Sequence, residues 1–444
     1  MIELKKDGLS FSFPQVAESM RKLEKEYVQE TLPKMLGEDR IAALDEVLTN
    51  AHRFRNATEA DRVNMLRFTQ NLTANEIEAE FQRKVRYQTR CNFTSNEPGQ
   101  MTVAFQRTLR IPDDGKNYGL PPGLGRFPLR HIDDFADRLS PACLERGGVM
   151  MPMYQAEALW LSFSGGYPFA VKVASGKINA ATGESWLPGL NRDPQDYLVL
   201  PEQPWLDGFA VEKGIIRQFV AMPLGAGYSV EEQLTGAADF GGVQIQAFPM
   251  KADAYFNKEI RPELPTRLAE LLPDILPSTE YERNVKEATS PRLHCQSPIL
   301  GAPSPMGLGA GGCMKQEIYE DPNDLDVWDT SDTSRCFVHL FNALQWREIT
   351  GENPPNPPVT AKEYEHYGLP WFDFYRDDVA VLEGSKKLAE VKSVAILSKE
   401  KGDHAVIGNE SVKADQVINC GPKERPDQVR EWNETNQVFM KGNE

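Results

Sequence analysis

Between residues 148 and 250 the chain breaks into short apolar or alternating runs, separated by connections too brief to hold a helix. Leu159–Phe163, Phe169–Ala174 and Lys177–Ala180 read as strands, with Ser175-Gly176 as the turn between the last two. Asp196–Leu200, Phe209–Val211, Ile215–Met222, Glu231–Leu234 and Val243–Phe248 continue the pattern, and Glu212-Lys-Gly214 supplies another tight turn. Parallel strands need long crossovers, usually helices, so closely spaced strands of this kind can pair only antiparallel. The sequence therefore predicts an α+β, β-rich fold whose central body is antiparallel and sandwich-like.

The flanks differ in texture. Apolar residues recur at helical spacing in Met20, Leu23 and Tyr27, then in Ile41, Leu44 and Leu48, so residues 15–90 read as helices. Thr58 with Asp61, ahead of Val63, Leu66 and Phe68, has the form of a helix cap. The stretch Tyr118–Gly125 holds Pro121 and Pro122, which lack ladder donors, and reads as a fixed connector. Beyond 250 come a Pro-punctuated helix within 262–290, a glycine-rich connection at Gly301–Gly312, and strands at Met314–Tyr319 and Cys336–Leu344. The expected organisation is a helical arm or bundle over 1–98, a β-rich domain over 99–255, a second β-rich half over 256–375, and a C-terminal appendage over 376–444.

Charge and cysteine usage narrow the function classes. With 65 acidic against 49 basic residues, the net charge of -16 repels phosphate backbones and anionic membrane. Nucleic acid is therefore not an expected partner, and Arg83, Lys84, Arg86 and Arg90 read as a solvated helix face. No apolar run approaches the roughly 20 residues of a membrane span, and Met1–Gly8 does not have the form of a secretory leader. The six cysteines, Cys91, Cys143, Cys295, Cys313, Cys336 and Cys420, are scattered without metal-ligand spacing. They read as reduced, mostly buried thiols, and the expectation is a cytoplasmic protein with no metal and no cofactor.

The most distinctive residues form blocks: Gln203-Pro-Trp-Leu-Asp-Gly208, Ile216-Arg-Gln-Phe-Val-Ala-Met-Pro-Leu-Gly225 and Glu232-Gln-Leu-Thr-Gly236. Met151–Gln155, Gly309–Gln316 and Gly368–Phe372 accompany them. In this combination, over about residues 100–375, the chain resembles a family of uncharacterised proteins from bacteria, fungi and amoebae. Some of its members bear the label of integral membrane protein, which the sequence contradicts. The resemblance implies no established activity.

Among these residues one constellation has chemical content: Gln203, Trp205, Asp207, Arg217 and Gln218. A hairpin that set Asp207 beside Arg217, next to the Trp205 indole, would suit recognition of a carboxylate or a sugar. The same residues also read as an Asp turn, a core tryptophan and a structural ion pair. Gly307–Gly312 lacks the spacing and context of a dinucleotide loop, so its glycines read as allowing a tight backbone crossing. Cys313 with His294 has no third group to orient it, and the six histidines show no metal-binding spacing, with His339 read as a core residue. Acidic pairs such as Asp113-Asp114 and Glu231-Glu232 read as solvated faces. Two functions follow as expectations: a non-enzymatic structural protein that forms a homo-oligomer or binds a protein partner, or an enzyme or binding protein for a small polar ligand such as a carbohydrate.

Overall fold

The computed structural model describes residues 1–6, 8–26, 98–260, 305–376, 378–403, 412, 416–420 and 430. Helix Pro14–Glu26 falls where helical spacing places it, with Val16 and Met20 buried on one face. The further helices expected up to residue 90, and the one within 262–290, lie outside the described residues, as do Cys91, His294 and Cys295. Contacts divide the chain into two units. One comprises Met1–Pro14, Asn96–Lys251 and Ala302–Glu444; the other comprises Gln15–Ser95 and Ala252–Gly301.

The first unit is strand-rich. Its strands are β1 (Ile2–Lys5), β2 (Gly8–Ser12), β3 (Gln100–Thr108), β4 (Asn117–Tyr118), β5 (Arg130–His131), β6 (Val149–Met153), β7 (Ala158–Ser164), β8 (Phe169–Ser175) and β9 (Ile178–Asn179). Then follow β10 (Leu198–Leu200), β11 (Trp205–Leu206), β12 (Gly208–Glu212), β13 (Ile215–Pro223), β14 (Val243–Pro249), β15 (Pro305–Lys315), β16 (Ser334–Asn342), β17 (Trp371–Phe374) and β18 (Val417–Cys420). Sixteen strands join in one sheet of order β1-β2-β3-β7-β13-β15-β16-β14-β8-β10, with the short strands attached at its sides. The pairings are antiparallel apart from β4 with β15, β6 with β16, and the separate pair β17 with β18. The fold is thus α+β and β-rich with a large antiparallel sheet, as the hairpin spacing requires.

The sheet bends so that its distant strands meet. The Phe13 ring, just past β2, lies 5.5 Å from that of Phe169 on β8, and the Met1 amino group donates to Ser334 Oγ on β16 at 3.4 Å. The strand runs on either side of residue 255 share this one sheet, because β13 pairs with β15 along nearly its whole length. β13 also pairs with β12 and β7, and buries Ile216, Phe219, Val220, Ala221 and Met222.

Local expectations are corrected at two places. Glu231–Leu234 is not a strand but lies in the helix Val230–Thr235. Ser229 and Glu232 form a reciprocal capping box there, and Gly236 ends the helix in the left-handed conformation. The local cap thus outweighs a weak alternating pattern. The connection expected at Gly301–Gly312 is strand from Pro305 on, and the strand expected at Met314–Tyr319 instead ends with β15 at Lys315. A side-chain carbon on Gly312 would sit 2.2 Å from the Pro112 carbonyl oxygen, so this glycine does allow a close backbone approach, but on a strand.

Candidate functional site

Of the five residues singled out in the 203–218 region, Gln203, Trp205, Asp207 and Gln218 are core, while Arg217 stands apart. Relative exposure is 2% for Gln203, 1% for Trp205, and 0% for both Asp207 and Gln218. The β12–β13 hairpin sets Gly208 opposite Gln218 and Phe209 opposite Arg217, while the Phe219 N–H donates to the Asp207 carbonyl. Asp207 therefore does not pair with Arg217. Its partner is Arg430, 223 residues later, whose two terminal nitrogens donate to the two carboxylate oxygens. Arg430 Nε donates to the Pro121 carbonyl at 2.7 Å, and its Cζ lies 4.2 Å and 4.9 Å from the ring centroids of Trp160 and Trp205. Arg217 is instead half-buried, donating to the Val391 carbonyl at 3.3 Å and lying beside Cys313. Burial raises the Cys313 thiol despite that cation, which keeps it a poor nucleophile.

The glutamines explain the rest of the block. A primary amide offers one acceptor and two donors, so a buried Gln can replace a peptide group in a ladder. Gln218 Oε1 accepts from Ile111 N and its Nε2 donates to Leu109 O. Gln203 accepts from Tyr319 N and donates to the Trp205 and Glu317 carbonyls. Gln195 does the same between Asp321 N and the Tyr197 and Tyr319 carbonyls, and Gln316 pairs with both the backbone N–H and the carboxylate of Asp207. These side chains stitch irregular connections to the sheet where no strand runs.

Other buried titratable groups also close on neighbours. The Glu231 carboxylate accepts from the backbone of Gly241 at 2.7 Å and is 2% exposed, so it is no solvated face; burial raises its pKa. Glu157, likewise raised by burial, holds Arg107 and the Tyr154 N–H. Arg107 and Tyr154 in turn donate to the Asn356 and Pro355 carbonyls, which fixes the Pro-rich loop at 354–358. His339 is 3% exposed between Phe337 and Phe341, bonds the Gly147 carbonyl, and is pushed by burial to about 4. Cys143, Cys336 and Cys420 are buried. Among the described residues no group of His, Cys, Asp and Glu is placed to hold a metal ion, and no helix is long and apolar enough to cross a membrane.

Open space lies elsewhere. A cavity of about 290 Å³ is formed where the connection from β9 to β10 folds back over β8. Its base is Lys172, Asn179, Thr182 and Asp196, all buried, and its walls are Glu184, Ser185, Trp186, Leu187, Asn191 and Pro194. Lys172 uses its ammonium three ways: to the Leu187 and Gly189 carbonyls, at 2.9 Å and 2.6 Å, and to Asp196 Oδ2 at 2.7 Å. Asp196 Oδ1 accepts the Asn191 N–H, and Asn179 Nδ2 donates to the Asp196 carbonyl. The connection is thereby held rigid from below. Trp186, half-buried, packs near the cations Lys172 and Arg335, at 5.1 Å and 5.6 Å. Fully engaged, Lys172 is a support for the cavity rather than a nucleophile.

Sequence reasoning singled out neither Lys172 nor Trp186, and Arg430 lies in a polar tail that gave no signal at all. Lys172 did carry one: a single charge in the otherwise apolar or small run Phe169–Ser175. Compared with family models, curated proteins and solved structures, the chain matches none.

Proposed function

We propose that the protein binds a small polyhydroxylated ligand, about the size of a monosaccharide, in the cavity over Lys172. The observation that carries this reading is a recess whose open surface is largely apolar, with one half-buried indole at its wall and polar side chains placed around it. Sugars present hydroxyls at their edge and C–H groups on their face, which a ring of hydrogen-bonding side chains beside an indole complements. Lys172 and Asp196 are satisfied within the base. On the exposed wall Asn191 Nδ2 donates to the Asp193 and Pro194 carbonyls and Glu184 Oε2 holds Lys387. Ser185 Oγ, Asn191 Oδ1 and Glu184 Oε1 are therefore the atoms that would bond ligand hydroxyls. The volume lies near the lower end of ligand pockets, which favours one ring over an oligosaccharide.

Titration calorimetry against a panel of monosaccharides, polyols and sugar acids tests this reading. The expected result is one class of ligand with saturable binding, lost in Trp186→Ala and weakened in Asn191→Ala, with both variants folded. Binding to no member of the panel, or binding unchanged in Trp186→Ala, contradicts it. Self-assembly ranks second. The large exposed apolar side chains Leu344, Tyr367 and Ile396 lie on separate elements, so no one of these elements offers an apolar face. Native mass spectrometry at tens of micromolar distinguishes the two readings, since a defined homo-oligomer without bound ligand would reverse the ranking.

A further inference from the structure

We infer that Asp207, Trp160, Trp205 and the Pro121 carbonyl form a guanidinium receptor, which the chain fills with its own Arg430 and which accepts a free alkylguanidinium once that side chain is removed. The walls are assembled without the residue that occupies them. Trp160 comes from β7, Trp205 from β11, and Asp207 from between β11 and β12. Pro121 belongs to the connector after β4, and Gln316, which follows β15, holds the Asp207 carboxylate from behind at 2.8 Å. Every one of these lies more than a hundred residues before Arg430 in the chain.

The geometry is selective for a planar fork. The carboxylate takes both terminal nitrogens side by side, the carbonyl takes Nε, and the two indoles, inclined at 70° to each other, stand at 4.2 Å and 4.9 Å from Cζ. A bidentate carboxylate, a third acceptor aimed at Nε and aromatic rings over the cation fit guanidinium and not ammonium, which is a compact point charge with no plane to stack. Arg430 also accepts from Gly123 N through its carbonyl at 2.8 Å, so this residue is held by both side chain and backbone. A ligand from outside competes with a covalently tethered arginine, which explains why the receptor is closed in the intact chain.

Chemical rescue tests the inference on the full chain. Arg430→Ala is melted in increasing ethylguanidinium and, separately, in ethylammonium at equal ionic strength. The expected result is a saturable rise in melting temperature of about 3 °C or more with ethylguanidinium alone. The unmodified protein and the double variant Asp207→Asn with Arg430→Ala are expected to show no such rise. If Arg430→Ala is insoluble, its refolding yield from urea is compared in the two salts, and recovery by ethylguanidinium alone supports the receptor. Equal effects of both cations, no effect of either on melting or refolding, or the same rise in the double variant overturns it.

Discussion

Two of the buried ion pairs among the described residues are built from the same parts and stand in opposite settings. Asp207 with Arg430, and Asp196 with Lys172, are each a carboxylate and a cation beside an indole. The first pair is sealed, with both side chains at 0% exposure and every approach closed by Trp160, Trp205 and Gln316. The second lies at the base of a cavity whose walls are exposed, with 12% of the Asp196 side chain accessible. Residue chemistry alone therefore does not separate a keystone from a site. What separates them is space, and space depends on which chain segment returns to fill the recess.

The largest effect expected follows from the sealed pair. Asp207→Ala strands a buried guanidinium and costs roughly 3–5 kcal/mol, read as a drop in the urea midpoint. Asp196→Ala leaves Lys172 with two carbonyl acceptors and room for water, and costs about 1–2 kcal/mol. Equal costs for the two would break the distinction between keystone and site.

Acid provides the next effect. Burial lowers the pKa of His339 to about 4, against roughly 6.5 in the unfolded chain, so between these values the unfolded state binds the extra proton. Its contribution is present above the unfolded value and is lost as pH falls toward 4. The protein loses roughly 3 kcal/mol from this group over that window, and His339→Phe flattens that part of the stability profile. Fluorescence-monitored urea titrations at pH 7, 5.5 and 4.5 would measure the difference in slope.

A smaller loss is expected at Gln218. Gln218→Leu keeps the volume but leaves Ile111 N and Leu109 O unpaired in the core, at roughly 2 kcal/mol. Smallest in stability is Trp186→Ala, within about 1 kcal/mol because the indole is half-buried, although ligand binding is lost. A change in that order, with Trp186 destabilising more than Gln218, would make the cavity wall part of the core.

The sheet was legible because alternation and turn chemistry act locally. Ser175-Gly176 and Glu212-Lys-Gly214 do close the β8–β9 and β12–β13 hairpins, with Gly176 and Gly214 at positive φ. The helix at Val230–Thr235 was also legible in principle, since Ser229 and Glu232 stand at capping-box spacing. The roles of Asp207, Gln203 and Gln218 were not. A carboxylate and two amides in a distinctive block look alike whether they face a ligand or replace a peptide group, and apart from the Gln203 bond to Trp205 their side-chain partners lie about a hundred residues or more away in the chain. The cavity was invisible for the same reason, because its base and walls are set by how one long connection lies across β8.

A double-mutant cycle between Asp207 and Arg430, followed by urea denaturation, tests most directly the claim that the 203–218 block is a keystone. The account predicts that Asp207→Ala and Arg430→Ala each destabilise by roughly 3 kcal/mol or more, while the double variant is no worse than either single one, giving strong coupling. Two single changes of under about 1 kcal/mol that simply add would contradict it.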